Sequence, residues 1–185
     1  MKFIAVFITL ACINPVQAQQ QFNLQAQAYD LGVMPMVEFQ TSHNEQWDFI
    51  YRAGVLVAEE NNWSPADEVK SRGVGVGFGL LRKAIGWGQL QLQLSTDFWY
   101  REVTQQNEQI ICPIAPPCFN SSYNTDSQML TILPSVGLHY VLPIHDRFQL
   151  VPNAAFGYQH NVFPKGASIP NSTILTAGIK IGYRI

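Results

Sequence analysis

Leu175-Thr176-Ala177-Gly178-Ile179-Lys180-Ile181-Gly182-Tyr183-Arg184-Ile185 is the stretch that decides the fold. In an extended chain, Leu175, Ala177, Ile179, Ile181, Tyr183 and Ile185 share one face. Thr176, Gly178, Lys180, Gly182 and Arg184 share the other. Successive side chains of a strand point to opposite sides, so strict period-two alternation marks a strand with two different environments. Wound as a helix, the same residues would scatter their aliphatic side chains around the whole cylinder.

The pattern repeats upstream. Phe22, Leu24, Ala26 and Ala28 oppose Gln21, Asn23, Gln25 and Gln27; Val33, Val37 and Phe39 oppose Met34, Met36, Glu38 and Gln40. Phe49, Tyr51, Ala53 and Val55 oppose Asp48, Arg52 and Gly54, and Val74, Val76, Phe78 and Leu80 alternate with Gly73, Gly75, Gly77 and Gly79. Leu90, Leu92, Leu94, Phe98 and Tyr100 oppose Gln89, Gln91, Gln93, Ser95, Asp97 and Arg101. Two more segments, around Ile132 to Leu142 and Phe148 to Tyr158, set His139 and Asn153 on the polar side. Pro35 falls within a strand, and Pro134 and Pro152 predict bulges, because proline cannot donate to a ladder.

The connections alternate in length. Short ones fall around Ser42 to Asn44, Arg82 to Ile85 and Pro143 to Asp146, and longer ones span Ala58 to Ser71, Glu102 to Ser127 and His160 to Asn171. Only Asp30 to Gly32 breaks the rule. An even number of antiparallel strands with alternating short turns and long loops is the pattern of transmembrane barrels. The expected fold is all-β: an eight-stranded antiparallel transmembrane β-barrel with a polar interior filled by side chains.

A soluble lipocalin-like barrel, its apolar face turned inward around a ligand, is the alternative. Three features favour apolar faces turned to lipid. The polar faces are rich in Gln and Gly rather than Lys and Glu, the apolar faces carry no charge, and the aromatics form two belts. Phe39, Trp47, Tyr140, Phe148 and Tyr183 lie toward the short turns; Phe98, Tyr100, Phe156 and Tyr158 lie toward the long loops. The charged residues of the polar faces, Glu38, Asp48, Arg52, Asp97, Arg101, Lys180 and Arg184, are expected to form a lumen network with His139. The alternating glycines make room for bulky lumen neighbours; they lack the irregular spacing of a phosphate-binding loop.

Gly178-Ile179-Lys180-Ile181-Gly182-Tyr183-Arg184-Ile185 resembles the closing strand of small outer-membrane barrels. The hairpin Val136-Gly137-Leu138-His139-Tyr140-Val141-Leu142-Pro143, turning through Asp146-Arg147-Phe148, does so too. The chain resembles the outer-membrane protein beta-barrel domain family, with Ile185 in place of the usual terminal aromatic. The resemblance implies an outer-membrane location, outer-membrane lipid and lipopolysaccharide around the wall, and assembly by the barrel-assembly machinery. Any extracellular ligand stays unnamed, and a monomer is expected.

The start of the chain fits export. Lys2 precedes an apolar run from Phe3 to Ala11, and Val16-Gln17-Ala18 offers a cleavage site, so residues 1–18 read as a signal peptide and 19–185 as the barrel domain. A rival cut before Cys12 has Thr9 where such sites prefer Leu. The whole chain carries 11 basic and 13 acidic residues, a net charge of −2, which gives no footprint for nucleic acid. After the leader no apolar run reaches the ~18 residues of a membrane-spanning helix.

Cys112 and Cys118 form an even pair in an exported chain, which reads as a disulfide; a zinc site would need further ligands. No metal or other cofactor is expected. A lipid-modifying barrel enzyme would need Ser, His and an acid near the outer rim. His160 has Ser168 and Glu102 only by loop folding, so no catalytic set is expected. Two acidic and proline-rich loops remain. Glu59, Glu60, Asp67 and Glu68 surround Trp63, and Pro113, Pro116 and Pro117 stiffen the longer loop. Long loops on a rigid scaffold are where binding resides, so the expected role is structural or adhesive.

Overall fold

The computed structural model describes residues 20–29, 32–61, 68–83, 89–112, 118–162 and 171–185. The expected signal peptide, Trp63, Asp67, the loop prolines and Ser168 lie outside the described residues. The strands are β1 (Gln20–Tyr29), β2 (Gly32–Ser42), β3 (Trp47–Asn61), β4 (Glu68–Arg82), β5 (Leu90–Ile111), β6 (Phe119–Tyr140), β7 (Leu142–Pro143), β8 (Phe148–Asn161) and β9 (Ser172–Arg184). All neighbours are antiparallel. β7 continues β6 past Val141 and pairs with β8 in the same register, so nine segments make an eight-stranded wall. The wall closes where β1 meets β9, from Gln21↔Arg184 to Tyr29↔Thr176. Closure removes the free sheet edges that a membrane interior would leave unpaired.

The faces follow the alternation. On β1, Gln21, Asn23, Gln25 and Gln27 are buried, while Phe22 and Leu24 stand outside, exposed. On β9, Thr176 and Lys180 are inside, and Leu175, Ile179 and Ile181 outside. A lipocalin-like arrangement would reverse this. Polar inside and apolar outside suits a wall solvated by lipid.

The three strand prolines produce no slip of register. At Pro134 the β6–β8 ladder passes from Ile132↔His160 directly to Ser135↔Gly157. Around Pro152 it passes from His139↔Asn153 to Leu142↔Leu150. At Pro35 the β2–β3 ladder skips from Val33↔Val57 to Met36↔Gly54. Each proline stays paired with its other neighbour, as Ala26↔Pro35, Thr96↔Pro134 and Pro152↔Ile179. The expected bulges are therefore local gaps on one side: proline removes a donor without adding a residue.

The expected loop from Glu102 to Ser127 is mostly strand. β5 and β6 remain paired from Leu90↔Tyr140 to Ile111↔Phe119, whereas β4 follows β5 only to Val69↔Gln105 and β8 follows β6 only to Thr131↔Asn161. A two-stranded hairpin thus projects beyond the barrel. Its free part, from Gln106↔Asn124 outward, adds roughly 20 Å at ~3.3 Å per residue.

The interior has layers. Toward the short turns and through the middle it carries most of the polar side chains, with Ile50, Leu81, Val141 and Val151 buried among them. Further out it becomes apolar, where Met34, Met36, Leu56, Ala58, Trp99, Leu133 and Ile174 are buried against one another. Trp99 lies flat against β4: a Cβ at Gly75 would overlap its ring, and one at Gly77 would overlap the Asp97 carboxylate.

Candidate functional site

Two regions concentrate chemistry: the interior network and the hairpin. Inside, Lys180 reaches Glu38 with Nζ 2.8 Å from Oε1 and 2.7 Å from Oε2. Asn23 Nδ2 donates to Glu38 Oε1 at 2.9 Å, and Gln21 Nε2 donates to Asn23 Oδ1 at 2.5 Å. Over Gly77 of the intervening β4, Arg52 forks onto Asp97, with Nε 2.5 Å from Oδ1 and an Nη 2.6 Å from Oδ2. The same Arg52 donates to Ser95 Oγ at 2.8 Å, and Ser95 shares a 2.9 Å hydrogen bond with Ser135. Gln93 joins the halves, donating to Ser95 at 2.9 Å and accepting from Lys180 at 3.4 Å.

These contacts tie β1, β2, β3, β5, β6 and β9 together. Both ion pairs are buried, Glu38 to 1% exposure and Lys180 to 2%. Buried charge is tolerable only when it is paired and its remaining donors and acceptors are satisfied, a condition these neighbours meet. His139 is buried beside the network. The enclosed void among Gln25, Arg52, His139, Asn153 and Thr176 is about 10 Å³. That is roughly one water, far short of a channel.

The remaining expected network members lie elsewhere. Asp48 is buried near the short-turn end and pairs with Lys83, Nζ to Oδ1 2.6 Å, while Gln40 Nε2 donates to its Oδ2 at 2.5 Å. Arg101 is buried on the far side of the apolar layer and donates from Nε to Ser71 Oγ at 3.0 Å. Arg184 is exposed at the rim and donates to Gln149 Oε1 at 3.1 Å. It sits on the polar face as alternation predicts, but past the point where the wall encloses that face.

Alternation alone missed Lys83, which follows the end of β4, and Trp99, which falls inside Phe98-Trp99-Tyr100, where all three residues are aromatic. The signal for Trp99 lay on the neighbouring strand: its partner is Gly75. The inward Ile50, Leu56, Leu133 and Ile174 were missed because an apolar residue on a polar face looks like a break in the pattern.

Outside, Cys112 and Cys118 are bonded at the end of the hairpin, with Cα atoms 4.2 Å apart. Thr104 Oγ1 donates to Asp126 Oδ1 at 2.8 Å across its base, and Tyr123 is exposed further out. His160 is exposed at the outer end of β8. Among the described residues, no cluster of three His, Cys, Asp or Glu could hold a metal.

No protein-family model matches the chain, and no curated protein matches it in sequence. Among solved structures, a major outer membrane protein from Thermus thermophilus is similar with a TM-score of 0.51 and 11% identity, over 90% of this chain and 99% of that one. The attachment invasion locus protein Ail of Yersinia pestis gives a TM-score of 0.48 at 12% identity, over 91% and 97%. Neisserial surface protein A gives 0.48 at 9% identity, over 91% and 96%. At 11% identity the Thermus likeness speaks for the fold, which is that of bacterial outer-membrane barrels.

Proposed function

We propose that this outer-membrane barrel is a non-catalytic, exported protein that binds an extracellular partner through its projecting β5–β6 hairpin. The observation that supports this reading is the length of paired strand beyond the last rungs of β4 and β8. A barrel that only had to cross a membrane would need no such extension. A paired, disulfide-closed hairpin also loses less conformational entropy on binding than a free loop would.

Among the described residues, the β6–β8 ladder ends at Thr131↔Asn161, well short of the hairpin's end. The polar network is enclosed by the wall and by the apolar layer, so it is not open to an outside substrate. It serves to hold the barrel together.

The test shortens the hairpin. Residues 106–124 would be replaced by a two-residue turn in the full chain, expressed on cells, and adhesion to mammalian cells and matrix proteins compared with the intact protein. Adhesion should fall at least tenfold while the barrel still migrates as a folded species on unboiled gels. Equal adhesion with the barrel intact would sink the reading. A change in membrane-lipid acylation on expression, read by mass spectrometry, would favour the enzymatic alternative.

A further inference from the structure

The lipid-facing wall has a feature that hairpin binding leaves unused. A groove of about 760 Å³ crosses the outer face from β3 to β8. It follows neighbouring cross-strand rows, one of which runs Phe49↔Leu80↔Leu94↔Val136↔Phe156. Because barrel strands tilt, such a row climbs as it goes around the wall. Phe49 lies one alternation above Trp47 at the start of β3, whereas Phe156 lies past the middle of β8. In the next row Thr96 and Pro134 stand between Phe78 and Tyr158, so small side chains form the floor and aromatic ones the walls.

The foot of the groove is basic. Directly below Phe49↔Leu80 comes the pair Trp47↔Arg82. The Arg82 guanidinium lies over the Trp47 ring, 5.8 Å from its centroid, and Arg82 is exposed. It makes no ion pair with a described residue; the nearby Asp48 is engaged by Lys83. Its donors therefore face the interface at the short-turn end.

We propose that this groove binds one phospholipid of the periplasmic leaflet, its phosphate on Arg82 and one acyl chain laid toward Thr96 and Pro134. Arg presents several donors in a planar fork that suits phosphate oxygens, and the indole beneath holds it at headgroup depth. From β3 to β8 the groove crosses four strand spacings, about 19 Å at ~4.8 Å each. That path runs around the wall and climbs only with the strand tilt of about 35–45°, so it offers an acyl chain an oblique seat within its own leaflet. A headgroup at the other end would meet Tyr158 and His160 instead of the Arg82 guanidinium, which is why the periplasmic leaflet is favoured. The inference concerns the wall alone and is independent of whether the hairpin binds a partner.

The experiment uses the full chain extracted from outer membranes in mild detergent and measured by native mass spectrometry. It is then repeated after exchange into vesicles of equal phosphatidylglycerol and phosphatidylethanolamine. The intact protein should keep one phospholipid. Arg82→Gln should lower the lipid-bound fraction about fivefold, and Thr96→Phe, which fills the floor, should lower it as much. Ala177→Phe, on the lipid face of β9 away from the groove, should leave it unchanged. The proposal is overturned by lipid-free wild-type barrel, by equal retention in Thr96→Phe and Ala177→Phe, or by a retained outer-leaflet glycolipid in place of phospholipid. Folded-band migration of each variant separates lost lipid from lost barrel.

Discussion

Lys180 and Glu38 are the residues whose substitution should be most informative. Removing one member of a buried ion pair leaves the other charge unpaired, at a cost of about 3–5 kcal/mol. Lys180→Met should therefore lower the urea midpoint of the folded barrel sharply. Adding Glu38→Gln should recover much of the loss, since the buried charge is then gone. If the double variant is as unstable as the single one, the stabilisation comes from packing rather than from charge. The glycines of β4 are equally specific. Gly77→Val would drive methyl groups into Asp97 and the Arg52 fork, combining overpacking of ~1–3 kcal/mol with a broken ion pair. It should abolish the folded gel species, whereas Val76→Ile, facing lipid one residue away, should be silent.

Among elements, the β5–β6 hairpin and the β6–β8 seam differ most from their surroundings. The bond between Cys112 and Cys118 closes a short ring, for which chain-entropy arguments give about 2 kcal/mol. That stabilisation acts on the hairpin end and not on the closed wall. Replacing both cysteines with serine should leave heat-modifiable migration unchanged and make the hairpin cleavable by external protease on intact cells. Loss of the folded barrel in that variant would contradict the separation. The β6–β8 seam is interrupted at both Pro134 and Pro152, whereas β3 and β4 pair without a break from Trp47↔Arg82 to Asn61↔Glu68. Amide hydrogens along β6–β8 should accordingly exchange faster than those of β3–β4, because missing rungs lower the cost of local opening. Uniform protection across both seams would count against this.

At the scale of the whole molecule, the outer face is a solvent boundary. Ile179 stands on it in the middle of β9, opposite Ala26 and Pro152. A charge there must be carried into hydrocarbon at about 2–4 kcal/mol near the midplane. Ile179→Arg should block membrane assembly, while Gln91→Glu, on the inner face, should be mild. Fractionation of outer membranes reads the difference. Were the two variants to behave alike, the assignment of faces would be wrong.

The amino-acid sequence by itself determined the strands, their faces and the side on which lipid lies, because period-two alternation is a local property that each strand states separately. Leu175 to Ile185 needs no partner to show which residues share a face. The short turns were legible for a similar reason, but the expected loops Ala58 to Ser71 and Glu102 to Ser127 are largely paired strand, which only the neighbouring strand decides. Which charges meet was not legible. Arg52 finds Asp97 and Lys180 finds Glu38 across different strands, and those matches depend on the register with which every intervening strand pairs. The same dependence hid Trp99 against Gly75 and sent Asp48 to Lys83 and Arg184 to the exposed rim. The hairpin hid for another reason: its polar residues read as loop, and pairing between β5 and β6 made them strand. Alternation is encoded within a strand, whereas contact between strands is decided by the register in which neighbours pair and, for Lys180 and Glu38, by the closure of β9 on β1, and both belong to the tertiary structure.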